Sequence, residues 1–176
     1  MGAIKRTPAD KWFSDCIRER AEWRCERCGT QYHPPTKALH CSHFHGRGNW
    51  SVRFDPDNAA AHCMGCHLWF EGRPAEHQSW MRDRLGETRM DELQARANDA
   101  RIGRQARKQV KAIAAHYRAE HARMMALRGA GFTGYMEFVG YELAIRRLGS
   151  ALHGRTGQGA YGAVCALLPR LGLPHG

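Results

Sequence analysis

Cys25-Glu26-Arg27-Cys28 and Cys63-Met64-Gly65-Cys66-His67 bracket the stretch whose reading decides the fold, and Leu39-His40-Cys41-Ser42-His43-Phe44-His45-Gly46 lies between them. Two CxxC pairs place two thiolates on each of two tight turns. Together they complete a tetrahedral zinc site that ties both ends of the intervening chain. A purely structural zinc ribbon separates its pairs by about 15 to 20 residues. Here 34 residues, Gly29 to His62, lie between them, which leaves room for further structure and chemistry. Six of the 11 histidines (His33, His40, His43, His45, His62 and His67) fall between Cys28 and the residue that follows Cys66. Imidazole at that density suits a second metal or acid/base work near neutral pH.

Working outward, 176 residues suffice for one domain plus an extension. No apolar run approaches the roughly 18 residues a membrane span needs. The start Met1-Gly2-Ala3-Ile4-Lys5-Arg6 has no secretory apolar core, so a cytoplasmic protein is expected, in the host cytoplasm if the chain is phage-encoded. Seven cysteines is an odd count. With four assigned to zinc, Cys16, Cys41 and Cys165 fit reduced thiols better than a disulfide framework. Lys and Arg total 27 against 17 Asp and Glu, a net charge of +10, and this favours a polyanionic partner bound through counterion release. A basic surface without a specialised partner is the plain alternative.

Local signals outline the elements. Thr7, Pro8 and Asp10 form a helix start of the capping-box type, and Trp12, Phe13, Cys16, Ile17 and Arg20 continue at helical spacing. Cys16 then reads as a small buried hydrophobe. Thr36 to Phe44 reads as a first strand and Trp50 to Phe54 as its hairpin partner, broken by Gly46 and Gly48. Asp55-Pro56-Asp57 is a turn, and Asn58 is placed to cap a helix over 59–70. A helix from Gly72-Arg73-Pro74 to Leu85 stops at Gly86 and restarts at Glu87. The spacing of Ile102, Ala106, Val110, Ile113, Tyr117 and Met124 predicts one long helix over 101–127, with Arg104, Lys108 and Lys111 among its outward cations. That basic face suits a phosphate backbone or ordinary solvation. A further helix is expected over 133–148, then a Gly-rich stretch over 149–162.

Several of these residues carry a family resemblance. His43 at a strand end, Asn58 after Phe54-Asp55-Pro56-Asp57, and His67 directly after the second CxxC resemble the signature positions of the HNH (ββα-metal, His-Me finger) nucleases. Thr7 to Phe13, Cys25 to Gly29, Leu39 to Phe44 and Arg53 to His67 resemble, more closely, the phage NinG/Rap type of recombination nuclease, over about residues 4 to 123. The fold class expected is α+β and mostly helical, with a zinc-clipped ββα core, an N-terminal helix and a long basic C-terminal helical region. The expected division is 1–86 nuclease core, 87–128 basic helical extension and 129–176 a Gly-rich segment with no assigned role.

The resemblance implies a metal-dependent endonuclease that hydrolyses DNA, branched or Holliday-junction DNA among its substrates, leaving a 5′ phosphate. It assigns His43 as general base, Asn58 to ordering the loop that carries the base, and His67 to a catalytic Mg2+ or Mn2+. Cys25, Cys28, Cys63 and Cys66 would hold structural Zn2+. Many HNH enzymes place Asp directly before the base as an ion ligand, where this chain has Ser42. His45, His40, Asp55 or Asp57 are then further candidates, and Mg2+ needs few protein ligands because it keeps waters. Arg47 and Arg53 lie between base and Asn58, where guanidinium groups could clamp a phosphate or simply face solvent. Selecting a branched shape calls for a broad basic surface, which a homodimer would supply. The alternative from another class is a non-catalytic, zinc-stabilised nucleic-acid-binding module. Only the enzyme reading predicts strand cleavage switched on by Mg2+ or Mn2+.

Overall fold

The computed structural model describes residues 4–145. Helix α1, Pro8–Arg20, begins where the Asp10 carboxylate accepts the Thr7 backbone N–H at 2.7 Å and its hydroxyl at 2.8 Å. Of the expected stripe, Phe13, Cys16, Ile17 and Arg20 are buried together with Ala9, and Trp12 is partly buried. Cys16 is fully buried and its Sγ donates to the Tyr117 carbonyl at 3.3 Å. The chain then turns through the first CxxC pair and enters strand β1, Leu39–His43.

The partner of β1 is not the stretch 50–54. Strand β2, Ala59–Cys63, pairs antiparallel with it, Leu39 opposite Cys63, His40 opposite His62 and His43 opposite Ala59. Residues 50–54 are turns, and Val52 is buried with Met81, Leu85, Met90 and Leu93 in a cluster of its own. Asn58 therefore caps no helix. It ends the 3-10 turn Pro56–Asn58, and helix α2, Met64–Glu71, starts only after Cys63, whose side chain caps it by accepting the Cys66 N–H. Alanine is a strong helix former, yet Ala59, Ala60 and Ala61 are buried as strand between α1 and the zinc turn. Packing overrides propensity here.

Helix α3, Pro74–Asn98, carries the expected break at Gly86, whose φ of 76° and ψ of 162° are open mainly to glycine. The single helix predicted over 101–127 is two, α4 Ala100–Lys108 and α5 Val110–Gly129, separated at Gln109. Ile113, Tyr117 and Met124 of α5 share one core with Phe13, Cys16 and Ile17 of α1. Met81 and Leu85 before Gly86 and Met90 and Leu93 after it belong to a second buried cluster. Residues 132–140 run without helix, and a helix begins at Tyr141 rather than Thr133. The Gly-rich stretch over 149–162, and with it most of the segment 129–176, lies outside the described residues. The described architecture is mostly helical α+β with a small two-stranded sheet. No helix among the described residues is long and apolar enough to cross a membrane.

Candidate metal centre and histidine face

Four cysteines meet at the junction of the first turn, β2 and α2. The Sγ atoms of Cys25, Cys28, Cys63 and Cys66 all lie within 4.8 Å of one another. Four Zn–S bonds of about 2.3 Å at tetrahedral angles put sulfurs about 3.8 Å apart, and Cys28 and Cys63 are separated by 3.8 Å. The turns are shaped for it: Gly29, at a φ of 75°, closes the first knuckle by donating its N–H to the Cys25 carbonyl at 2.9 Å. The Cys63 N–H points at Cys25 Sγ (3.4 Å) and an Arg27 guanidinium N–H at Cys66 Sγ (3.4 Å), both suited to thiolates. Thr30 hydrogen bonds pull the Cys28 thiol down to about 6, whereas burial pushes Cys66 up to about 12. This quartet could hold a zinc ion, as its spacing predicts.

Alternation along β1 divides the histidines between the two faces of the sheet. Cys41 and His43 face α1, where the His43 ring lies 5.9 Å from that of Phe13. Cys41 is buried in the core behind the strand, as expected. His40 and Ser42 face the other way, toward α2, and the His40 ring lies 5.5 Å from that of His67. His43 and His67 are thus on opposite sides of the sheet, and no hydrogen bond or ring contact joins them among the described residues.

His43 is held firmly. Its Nε2 lies 3.0 Å from the Arg53 carbonyl, which can only accept, so a neutral ring that donates there carries its proton on Nε2; a backbone contact with Cys41 acts on the ring as well. Burial, then the positive charge of Arg47, lowers its pKa to about 4. The carbonyl that fixes it sits in the connection between β1 and β2, and this connection is clamped from several sides. Asn58, fully buried, accepts the His45 N–H at 2.8 Å and donates to the carbonyls of His45 (3.0 Å) and Val52 (2.9 Å). Tyr117 donates its hydroxyl to the Phe54 carbonyl, and Arg20 donates to the carbonyl of Pro56 at 2.9 Å. Arg96 takes Asp55 at 2.7 Å and Asp57 at 3.0 Å. Those two carboxylates are committed to arginine rather than presented to an ion.

His67 is fixed from the opposite end of its ring. Nε2 lies 3.1 Å from the Glu71 carboxylate, one helical turn on, and Nδ1 is buried with no partner. His40 Nε2 and both nitrogens of His62 are likewise buried and unpartnered. Burial and the neighbouring His67 lower the His40 pKa, and burial drives His62 to about 3. His45 packs its ring at 4.8 Å on Phe44, with Nε2 buried and unpartnered. No ring contact joins it to His40 or His67 among the described residues.

The arginines part company. Arg47 is partly exposed and donates to the Cys41 carbonyl at 3.2 Å. Arg53 departs from the phosphate-clamp expectation: it is 1 % exposed and bidentate to Asp10, at 2.9 and 2.8 Å. Burial alone would push Asp10 up, but hydrogen bonds from Arg53 and Thr7 hold it below the ordinary carboxylate value. Arg104, Lys108 and Lys111 are exposed and make no ion pair or hydrogen bond among the described residues. Helix α4 presses its Gly103 against Ser51, where an added Cβ would stand 2.9 Å from the hydroxyl oxygen.

The family model of the Bacteriophage Lambda NinG protein matches residues 6–126. The chain belongs to the NinG family. The NinG match takes in α1, both CxxC pairs, the sheet and nearly all of α5. No curated protein and no solved structure matches the chain. Sequence reasoning passed over Glu71, Tyr117 and Arg96, the last two because they act through contacts distant from any motif. For Glu71 alone a signal existed, a carboxylate four residues after a histidine on one helix.

Proposed function

We propose that the chain is a divalent-ion-dependent endonuclease of the HNH type, acting on DNA in a phage setting. The observation that carries the reading is the His43 Nε2–H bond to the Arg53 carbonyl, 3.0 Å long, which leaves Nδ1 as the proton acceptor at neutral pH. A neutral imidazole of fixed tautomer is what a general base for water requires. Asn58 supports it by fixing the connection that contains the Arg53 carbonyl, the loop-ordering role expected of it, in place of a helix cap. The unit from β1 to α2 is read as the ββα-metal motif, closed by zinc on the four cysteines.

His67 is the residue in this reading that would hold the divalent ion, since its Nδ1 is unpartnered and its Nε2 is anchored on Glu71. Such an ion supplies a positive charge for the phosphate during hydrolysis. His43 and His67 lie on opposite faces of the sheet, His67 beside His40 rather than at the His43 end of β1, so this reading does not seat one phosphate oxygen between the two rings. Arg47 in the connection and the exposed Arg104, Lys108 and Lys111 would hold phosphates.

The test is a cleavage assay on linear, nicked and four-way DNA with Mg2+ or Mn2+. We expect cutting by the zinc-loaded chain, lost in His43→Ala while zinc content and DNA affinity stay at wild-type values. A wild-type chain that binds DNA but cuts none of the three substrates would leave only the zinc-stabilised binding module.

A further inference from the structure

We propose that Cys28 is a modification site for hydroperoxides, and that its oxidation joins it to Cys63, expels the zinc ion and opens the stretch that the two CxxC pairs close. The inference rests on the zinc reading of the four cysteines and is independent of the nuclease reading.

Exposure singles out Cys28. Within the quartet it is the exposed member, Cys63 is half-buried, and Cys25 and Cys66 are buried. A zinc ligand is held as thiolate, the nucleophilic form of cysteine, so access decides which of the four reacts. The two buried sulfurs also have donors aimed at them. Cys25 Sγ faces the Cys63 N–H at 3.4 Å, and Cys66 Sγ faces an Arg27 guanidinium N–H at 3.4 Å. Arg27 is itself stacked on Trp69, 3.7 Å from the ring centre, so a fixed side chain stands beside Cys66. At Cys28 the nearest side-chain group is the Thr30 hydroxyl, 3.2 Å from Sγ, which is small and can donate to an oxygen leaving the peroxide.

Cys63 supplies the second sulfur. Its Sγ lies 3.8 Å from that of Cys28, and a disulfide of about 2.05 Å is reached when each sulfur moves by about 1 Å. In the first step the Cys28 thiolate attacks one peroxide oxygen, the O–O bond breaks, and hydroxide leaves with the electron pair to become water. Cys28 is then a sulfenic acid. In the second step the Cys63 thiolate attacks the Cys28 sulfur and expels that hydroxyl, again as water once protonated by solvent. The two sulfurs give up two electrons and the peroxide takes both. Only Cys25 and Cys66 then remain as ligands, and Zn2+ departs.

The new bond would link the same two turns that zinc links, but it cannot replace four ligand bonds. Binding to a structural zinc is folding free energy, so its release loosens the stretch that carries β1, His43 and the Arg53 carbonyl. A dithiol reductant with Zn2+ reverses the change.

The experiment follows zinc and sulfur together. The zinc-loaded full chain, with Cys165→Ser to remove the thiol outside the described residues, is treated with hydrogen peroxide. Zinc release is read with a chromogenic chelator, sulfenic acid is trapped with dimedone, and the modified cysteines are mapped by mass spectrometry at successive times. We expect the first dimedone label on Cys28, then a Cys28–Cys63 disulfide and one Zn2+ released per chain. Cys16 and Cys41, buried in the core, should stay reduced. Dithiothreitol with Zn2+ should restore the starting state. Cys28→His keeps a zinc ligand in place of the exposed sulfur and should slow zinc release by at least about 10-fold. Should that variant fail to hold zinc, the order of labelling in the parent chain decides by itself. A first label on Cys25, Cys63 or Cys66, a Cys25–Cys28 bridge, or zinc retained by the oxidised chain overturns the proposal. A chain that binds no zinc before peroxide is added overturns the zinc reading as well, and neither result depends on DNA cleavage.

Discussion

Asn58 holds the peptide groups of His45 at both ends, accepting its N–H at 2.8 Å and donating to its carbonyl at 3.0 Å. With a third bond to Val52, one side chain fixes two points of the connection that positions the Arg53 carbonyl. Asn58→Ala would leave the His45 N–H and carbonyl unpaired, at about 1–3 kcal/mol for each that water cannot reach, while the Val52 carbonyl keeps the Asp55 N–H at 3.1 Å. We expect a loss of about 3 kcal/mol or more in denaturant melts, together with loss of cleavage. Asn58→Asp should be no better, because it replaces the two donated bonds with charge. A variant with unchanged stability would remove Asn58 from the loop-ordering role.

Cys25→Ser or Cys66→Ser should unfold residues 24–70, since binding to a structural zinc is itself folding free energy. Hydrogen exchange across that range reads the effect, with α1 and α5 as internal comparison. Chelation of the wild type should reproduce it. Retention of cooperative melting and of one zinc per chain in either variant would contradict the assignment.

The Arg53–Asp10 pair is buried at both ends, and removing one partner of such a pair costs about 3–5 kcal/mol. Arg53→Ala and Asp10→Ala should each destabilise by that amount, and the double variant by less than their sum. DNA affinity measured on folded Arg53→Ala should match the wild type. A selective loss of DNA binding would instead return Arg53 to the phosphate-contact role expected from its sequence position.

His62 makes stability pH-dependent. Burial, with His77 and Arg84 adding to it, holds its folded pKa at about 3, against about 6.5 in an unfolded chain. The folded chain therefore binds fewer protons. Stability from this group is full above about pH 6.5 and is lost progressively on acidification, at up to about 1.4 kcal/mol per pH unit. His62→Phe should flatten the decline between pH 6 and about 4, measured with zinc content followed in parallel. An unchanged slope would show that His62 titrates normally.

What was legible in the sequence was chemistry tied to short spacing: the cysteine quartet, the Thr7–Asp10 helix start, β1, and the breaks at Gly72 and Gly86. What was not legible depended on distant partners. Trp50 to Phe54 alternates like a strand, but Val52 is drawn into the α3 cluster and Arg53 into its pair with Asp10, so the segment bends away from β1. The run Ala59-Ala60-Ala61 has no period-2 signal, because both faces of β2 are covered. The break at Gln109 has no glycine or proline to announce it. In the candidate site, the individual histidines were visible. Their division between two faces followed only once the register with β2 was known.

Tyr117 and Arg20 donate to the carbonyls of Phe54 and Pro56 from helices that lie outside the stretch bounded by the two CxxC pairs. The zinc-bounded stretch is consequently not a portable cassette. Grafted into a foreign scaffold with its cysteines and histidines intact, it would arrive without the struts that keep its longest excursion in shape, and any transplant has to bring α1 and α5 along.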